Sequence, residues 1–174
     1  WEIKLPLKIK IFLWQLVRGR VPSGTEVVKR NGPSDGMCPL CSVPEDSNHI
    51  FFICLAARFL WSCLREVVGG AWCHTNLPDM FSEVLGPNNS ARRLALWVTI
   101  GTLLWMLWNV RNKLVIEHVF MRLMQCSNYV VFYSYDGRLV GHDRDAVDGS
   151  IAVLRSVAAR LAAPPLPPLP PKPD

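Results

Sequence analysis

The sequence predicts a small, mainly α-helical domain organised around one short, turn-rich loop. The chain has 174 residues, of which 50% are hydrophobic, so it can bury one core but not two comfortable ones. Apolar residues recur at helical spacing along the chain, and residues 34–54, which interrupt this pattern, combine turn-forming residues with a concentration of Cys and His. This composition excludes a chain that is disordered throughout.

Two helices are predicted in the first thirty residues. Five apolar side chains at helical spacing indicate an amphipathic helix over residues 6–18, and the alternation at 8–11 leaves a strand as the second choice. Ser23 and Glu26 stand three residues apart, as in a capping box, and predict the start of a short helix that ends at Arg30. The apolar positions of the first helix are Leu5, Ile9, Phe12, Leu13 and Leu16.

Three further helices are predicted after the turn-rich loop. One covers residues 55–68, a short one lies near 79–85, and a long one extends over about 91–120 with Ser90 as its N-cap. The core face predicted for the helix at 55–68 consists of Phe59, Leu60, Cys63, Leu64 and Val67.

The long predicted helix contains the one candidate for a membrane span. Seventeen residues without formal charge extend from Leu94 to Val110, between Arg93 and Arg111. They correspond to roughly 25 Å of helix, which is shorter than the ~30 Å hydrocarbon core of a bilayer. A helix that is apolar on all sides is otherwise buried in a protein core, and we favour that interpretation. The tryptophans that would supply much of the core area are Trp97, Trp105 and Trp108.

The last fifty residues differ in composition from the rest. Residues 129–140 are rich in β-branched and aromatic side chains around a tight turn, which predicts a β-hairpin, and helical propensity returns at 150–163. Residues 164–174 contain seven prolines and are expected to form an extended, disordered tail without a partner. The alternative is that an SH3-type partner recognises the Pro-x-x-Pro-x-basic pattern formed by Pro167, Pro170 and Lys172.

Four potential metal ligands lie within seventeen residues of the loop: Cys38, Cys41, His49 and Cys54. The pattern Cys-x2-Cys-x7-His-x4-Cys lets two thiolates reach one ion across a tight turn and adds an imidazole and a third thiolate, a donor set suited to tetrahedral Zn²⁺. Four protein ligands leave no position for a catalytic water, so the predicted zinc is structural. The alternatives are ordinary buried thiols with a surface histidine, and a redox pair at Cys38 and Cys41, which the absence of a βαβ pattern disfavours.

Two phenylalanines between the last two ligands have two interpretations. Phe51 and Phe52 can stack on unpaired bases or pack inward under the loop, and their apolar sequence surroundings favour inward packing. The three remaining cysteines, Cys63, Cys73 and Cys126, are predicted to be small core residues.

The net charge of +5 is concentrated at the start of the chain. Residues 1–30 contain seven cations against Glu2 and Glu26, and the rest of the chain is neutral overall. Such a basic segment indicates a polyanionic partner, RNA or single-stranded DNA, although a solvated helix face has the same charge pattern. The candidate nucleic-acid-binding residues are Lys4, Lys8, Lys10, Arg18, Arg20, Lys29 and Arg30.

The cysteine content and the N-terminus indicate an intracellular protein. Six cysteines in 174 residues are too few for a disulfide scaffold, and the first residues lack the apolar run of a secretory signal. We therefore expect reduced thiols and a location in the nucleus or the cytoplasm. Because the chain opens on Trp1 within a hydrophobic pattern, we also expect it to be a segment of a longer reading frame.

Residues 1–61 contain an ordered set of residues that is found in one known family. In chain order they are Trp1, Pro6, Lys8, Phe12-Leu13-Trp14, Arg20-Val21-Pro22, Cys38-Pro39-Leu40-Cys41, Glu45-Asp46, His49, Phe52, Cys54, Ala57 and Trp61. Together they resemble the zinc-binding domain that follows the polymerase in LINE-type, non-LTR retrotransposon reverse transcriptases, which are abundant in plants. Farther on, Trp108-Asn109-Val110-Arg111-Asn112 is similar to a Trp-x-x-Arg-Asn element often found downstream in the same polyproteins.

The resemblance implies a small helical module with one structural zinc and a part in binding element RNA or target DNA. The zinc ligands it implies are Cys38, Cys41, His49 and Cys54. It divides the chain into a reverse-transcriptase-type zinc-binding module at 1–68, a helical continuation at 69–125, a divergent segment at 126–163 and the Pro-rich tail at 164–174.

No catalytic constellation is found in the sequence. It contains no nucleophile elbow, no phosphate-binding glycine loop and no paired aspartates of a polymerase, and the region after residue 125 does not resemble a ribonuclease H domain. We therefore predict a non-catalytic module that assists nucleic-acid binding. The alternative is a protein-interaction fragment that acts through its helical surface or Pro-rich tail without binding nucleic acid. An acidic cluster that we do not interpret as catalytic consists of Asp136, Asp143, Asp145 and Asp148.

Overall fold

The structure is a computed structural model that describes residues 5–68, 74–87 and 90–119, with a few positions between 148 and 159. In these ranges the fold is mainly helical, as predicted, and contains no strand; an isolated antiparallel bridge joins Met37 and Pro44. A π-helical turn at His49–Ile53 precedes the third helix. The helices are α1 at Leu7–Val17, α2 at Gly24–Lys29, α3 at Leu55–Val68, α4 at Leu77–Leu85 and α5 at Ser90–Glu117.

Helix α1 confirms the helical interpretation of the first segment and excludes the strand at 8–11. Pro6, whose fixed φ suits a helix start, precedes its first residue, and Gly19 follows its end in the left-handed conformation, with φ +59°. The five apolar positions whose spacing predicted this helix are all buried: Leu5, Ile9, Phe12, Leu13 and Leu16.

The capping box predicted for α2 is wrong. Ser23 makes no side-chain hydrogen bond to the backbone of the helix start, and the Glu26 carboxylate forms an ion pair with Lys29 instead. A residue from the turn-rich loop takes over the capping role: Oε1 of Glu45 accepts a hydrogen bond from the Gly24 N–H at 2.9 Å. The helix start is therefore satisfied by a tertiary contact that sequence spacing does not reveal.

Helix α3 buries a narrower stripe than predicted. Leu60, Cys63 and Leu64 are buried as expected, and Ala57 joins them with no exposed surface. Phe59 was expected on this face but is 50% exposed, because at 100° per residue it lies well to one side of the stripe that Ala57, Leu60 and Leu64 define.

Helix α4 lies close to its predicted position and packs on α5. The Asn76 side-chain oxygen accepts a hydrogen bond from the Asp79 N–H at 2.9 Å, which explains why the helix begins at Leu77. Its buried face is formed by Met80, Phe81 and Val84.

Helix α5 is the centre of the core. It contacts α1, α4 and the π-helical turn. The Phe12 ring of α1 lies 5.3 Å from Trp105 and 6.1 Å from Trp108, measured between ring centroids. At Gly101 the two helices approach so closely that an added Cβ would lie 3.0 Å from Leu13 Cδ1. The favoured interpretation of the apolar stretch as a core helix is thus confirmed, and no helix in the described part of the chain is long and apolar enough to cross a membrane.

Several predictions concern residues outside the described ranges. These are the hairpin at 129–140, the Pro-rich tail at 164–174, and the residues Lys4, Cys73 and Cys126. Of the helix predicted at 150–163 the structure describes six positions, which are helical, and among them Val157 is buried.

Candidate metal centre

The first two candidate ligands lie in a tight turn. The Cys38 N–H donates to the carbonyl of Val43, and the Ser42 N–H donates to the carbonyl of Cys38, both at 2.8 Å. Ser42 adopts a left-handed conformation with φ +55°, which reverses the chain directly after Cys41. The turn therefore brings the two sulfurs of the Cys-x2-Cys pair to the same side.

The other two ligands are aligned by the π-helical turn. Oδ1 of Asp46 accepts a hydrogen bond from the His49 N–H at 2.6 Å, at the start of the turn. The Cys54 N–H then donates to the His49 carbonyl at 2.8 Å, five residues apart, which is the hydrogen bond that defines a π-helical turn. The His-x4-Cys spacing of the sequence thus equals the five-residue spacing of this hydrogen bond.

All four side chains converge on one point. Their ligand atoms lie within 4.8 Å of one another, with 3.9 Å between the sulfurs of Cys38 and Cys54 and 3.2 Å between the Cys41 sulfur and Nε2 of His49. Two thiolates on a tetrahedral zinc with bonds of about 2.3 Å stand roughly 3.8 Å apart. The cysteines are free thiols, so the spacing corresponds to a metal site and not to a disulfide.

The burial of the cluster also fits a metal. Cys38, His49 and Cys54 are each less than 5% exposed, and Cys41 is partly buried. Nε2 of His49 faces the Cys41 sulfur at 3.2 Å, whereas Nδ1 has no hydrogen-bond partner in the described part of the chain. A cation bound at Nε2 of this buried imidazole would give that nitrogen a ligand bond that an apolar interior does not supply.

In the metal-free cluster the Cys38 thiol is protonated at neutral pH. Burial, the largest cause, raises the pKa of this thiol to about 12, and the nearby Cys54 thiol adds to the increase. Hydrogen bonds from the backbone at Leu40 and Cys41 act in the opposite direction. A cation in the centre is therefore needed to form the thiolate at neutral pH.

The donor set suits a structural zinc. Three thiolates and one imidazole complete a tetrahedral shell and leave no open position for water. The cavity beside the cluster, lined by Cys38, Glu45, Leu107 and Arg111 among others, has a volume of about 20 Å³. This is room for about one water molecule and far below the ~300 Å³ of the smallest ordinary ligand pockets.

The aromatic residues of the π-helical turn pack inward. Phe51 is fully buried and Phe52 is 7% exposed, so base stacking by either ring, the less favoured interpretation, is wrong. The Phe52 ring stacks on Trp61 with 5.8 Å between centroids, and the Trp61 indole N–H donates to the Phe51 carbonyl at 2.6 Å. These contacts fix the start of α3, and with it Cys54, to the metal loop.

The predicted cationic residues fall into two groups. Lys8, Arg18 and Arg20 are exposed and Lys10 is half-buried, all on α1 or directly after it. Lys29 and Arg30 are also exposed, but both form ion pairs with Glu26, at 2.6 and 3.8 Å. The second group is thus partly neutralised by its own helix.

One pair of residues that matters for the site was missed by the sequence analysis. Glu45 is 1% exposed and its Oε1 accepts hydrogen bonds from Arg111 of α5, from Nη2 at 2.6 Å and from Nε at 3.0 Å. Both residues were noticed in their motifs, but they are 66 positions apart, and no local pattern joins residues at that distance.

Comparison with known proteins supports the metal assignment. Residues 1–61 match the protein family described as zinc-binding in reverse transcriptase, whereas no curated protein and no solved structure matches the chain. The match covers about a third of the 174 residues and includes all four residues of the cluster. Residues 1–61 are therefore similar to the zinc-binding domain of reverse transcriptases, and the three cysteines and one histidine that could hold the ion lie within the match.

Proposed function

We propose that this chain is a non-catalytic, zinc-stabilised module that binds single-stranded nucleic acid, and that it derives from the polyprotein of a LINE-type retrotransposon. The zinc orders the loop at 36–54, and α5 and the loop together hold α1 in place. The observation that carries the proposal is the concentration of exposed Lys and Arg side chains on α1 and the turn after it. RNA and single-stranded DNA present the phosphates that such a surface attracts.

The sequence segment that forms this surface carries formal charge of one sign only. Residues 5–25 contain Lys8, Lys10, Arg18 and Arg20 and no acidic residue. Three of these four cations, Lys8, Arg18 and Arg20, are exposed in the structure. Because each phosphate neutralised by such a residue releases a counterion, binding to this surface depends steeply on salt.

An aromatic side chain lies among the cations. Trp14 is 38% exposed on the outer face of α1, and the Arg18 guanidinium carbon lies 5.3 Å from the centroid of its ring. A partly exposed indole beside an arginine is a suitable surface on which an unpaired base can stack. Trp14 was not among the predicted site residues, because its helix position alone does not show whether it faces outward.

The same face favours a second candidate function. Leu7 and Val17 are 72% and 62% exposed, and Ile11 is 49% exposed. Phosphates attract cations and bases stack on aromatic rings, whereas exposed aliphatic side chains are the groups that a protein partner would bury. A protein-interaction fragment is therefore the alternative.

Salt-dependent binding tests the proposal. Fluorescence anisotropy with a labelled single-stranded oligonucleotide should show an affinity that falls as salt rises, with a log–log slope of about −0.7 for each phosphate contacted. Arg18→Glu combined with Arg20→Glu should weaken binding and flatten the slope. The matched control is Arg58→Glu with Arg65→Glu, which makes the same change in net charge on α3.

The outcomes separate the two candidates. Weaker binding in the α1 variant than in the α3 variant supports the nucleic-acid surface. Equal weakening in both means that only the overall charge matters, and no association of the parent chain with RNA or single-stranded DNA at low salt contradicts the proposal. In that last case, loss of a captured protein partner on Leu7→Ser would favour the protein-interaction alternative.

A further inference from the structure

Glu45 is a buried residue that holds together the metal loop, residues 36–46, which carries Cys38 and Cys41. Its N–H donates to the Gly36 carbonyl at 2.8 Å, which joins the two ends of the segment that carries Cys38 and Cys41. Its carbonyl accepts a hydrogen bond from the Thr25 N–H at 3.0 Å. With the carboxylate capping the start of α2, this one residue connects the metal loop to the helix before it.

The carboxylate of Glu45 depends on Arg111. A carboxylate that is 1% exposed requires a cation and hydrogen bonds to remain ionised in the interior. Arg111, whose side chain is 12% exposed, supplies two N–H groups to Oε1, while Oε2 has no partner among the residues described. Loss of Arg111 would therefore leave a buried charge with one remaining backbone donor, and the loop would have to move to expose it.

Arg111 is itself held in a fixed orientation. Its guanidinium carbon lies 5.4 Å from the centroid of the Trp108 ring, and its Nη1 donates to the Asn112 side-chain oxygen at 3.1 Å. A lysine lacks the planar group and the several donors that these contacts need. These contacts account for the spacing of Trp108, Arg111 and Asn112 on α5. Trp108 supports the guanidinium, Arg111 pairs with Glu45, and Asn112 accepts a hydrogen bond from Nη1.

The metal loop and α5 are in close proximity at this point. Cys38, Glu45 and Arg111 line the same cavity of about 20 Å³, together with Leu107. A cavity of this size gives the loop little room to change shape while Arg111 remains in place. Displacement of Glu45 therefore also displaces the backbone next to Cys38.

We infer that Arg111, which lies outside the 61 residues that match the zinc-binding family, is a positioning residue of the zinc site. Through Glu45 it holds the loop in the shape in which Cys38 and Cys41 face His49 and Cys54. It does not contact the metal ligands' sulfur or nitrogen atoms in its described hydrogen bonds. The zinc affinity of the domain is thus determined in part by α5.

Zinc affinity measured on the full chain tests this role. We expect Arg111→Ala to weaken zinc binding about 10- to 100-fold in competition with a chelating indicator, the range found for residues that orient metal ligands. Arg111→Lys, which keeps the charge but not the fork of donors, should restore only part of the affinity. The absorption of Co²⁺ in the site reports whether the tetrahedral sulfur and nitrogen coordination is retained.

Two controls separate positioning from general destabilisation. Lys113→Ala removes an exposed cation of the same helix that forms an ion pair with Glu117, also on α5. Gly101→Val disturbs the contact between α5 and α1 without touching Glu45. Both variants should bind zinc within about twofold of the parent chain. Combining Arg111→Ala with Glu45→Gln should weaken zinc binding by less than the two single changes together, because the double variant has no buried carboxylate charge at this position.

The inference fails if Arg111→Ala binds zinc within about twofold of the parent chain. It also fails if Gly101→Val, at the same loss in free energy of unfolding as Arg111→Ala, weakens zinc binding by the same factor. If Arg111→Ala does not fold, Arg111→Lys and the double variant with Glu45→Gln supply the same comparison. A parent chain that binds no zinc would contradict the metal assignment itself, which is a different result from a zinc site that is insensitive to Arg111.

Discussion

Cys54 illustrates how a single residue serves both the metal and the fold. Its N–H closes the π-helical turn, its sulfur faces Cys38, and its carbonyl accepts the first hydrogen bond of α3, from the Arg58 N–H at 2.9 Å. The ligand set could be predicted from sequence because cysteine and histidine at this spacing have few other uses together. Neither the capping of α2 by Glu45 nor its pairing with Arg111 could be predicted, because both depend on residues that are distant in the chain.

Zinc binding should strengthen as pH rises. The pKa of the metal-free Cys38 thiol is about 12, so at neutral pH this group carries a proton that zinc must displace. Each displaced proton makes the apparent affinity about tenfold weaker for every pH unit lost below the thiol pKa. Chelator competition at pH 6 and at pH 8, corrected for the chelator's own protonation, should therefore show at least a hundredfold difference; an affinity that is equal at both values would contradict the thiolate assignment.

At the scale of elements, α5 determines whether the zinc-binding segment has a core. Helical periodicity was sufficient to place α1, α3, α4 and α5 near their observed positions, because helices with one apolar face follow directly from residue spacing. It was not sufficient to define the buried face of α3, where Phe59 is half-exposed, since several apolar residues compete for one narrow contact. Which helices would meet could not be read from the pattern, because α5 is apolar on more than one side and can pack in several ways.

The contact of α5 with α1 should be sensitive to volume at Gly101. Gly101→Val adds a branched side chain where a Cβ alone would lie 3.0 Å from Leu13 Cδ1 and 3.3 Å from Leu5 Cδ1. Overpacking of this kind costs about 1–3 kcal/mol, and we expect a lower free energy of unfolding in urea by about that amount.

The matched control for this change is Gly149→Val. An added Cβ at Gly149 meets no atom within 4 Å, so the same substitution should alter the free energy of unfolding by less than about 0.5 kcal/mol. An equal loss in the free energy of unfolding at both positions would contradict this prediction. It would mean that helix propensity, and not the packing of α5 on α1, determines the effect of the substitution.

At the scale of the whole molecule, the metal site and the helical core stabilise each other. The loop at 36–46 contains few buried apolar side chains, so it depends on the cluster and on Glu45 for its shape. The helices depend on the loop in turn, because the start of α2 is capped by Glu45 and the π-helical turn packs against α5. The cationic surface proposed to bind nucleic acid lies on α1, which rests on this combined core.

Metal analysis of the purified full chain under reducing conditions tests the central claim most directly. We expect one zinc per chain, lost in both Cys38→Ser and Cys54→Ser and retained in Cys63→Ser, whose buried thiol lies outside the cluster. A parent chain without zinc, or a zinc content that survives loss of both Cys38 and Cys54, would contradict the claim that these four side chains share one ion.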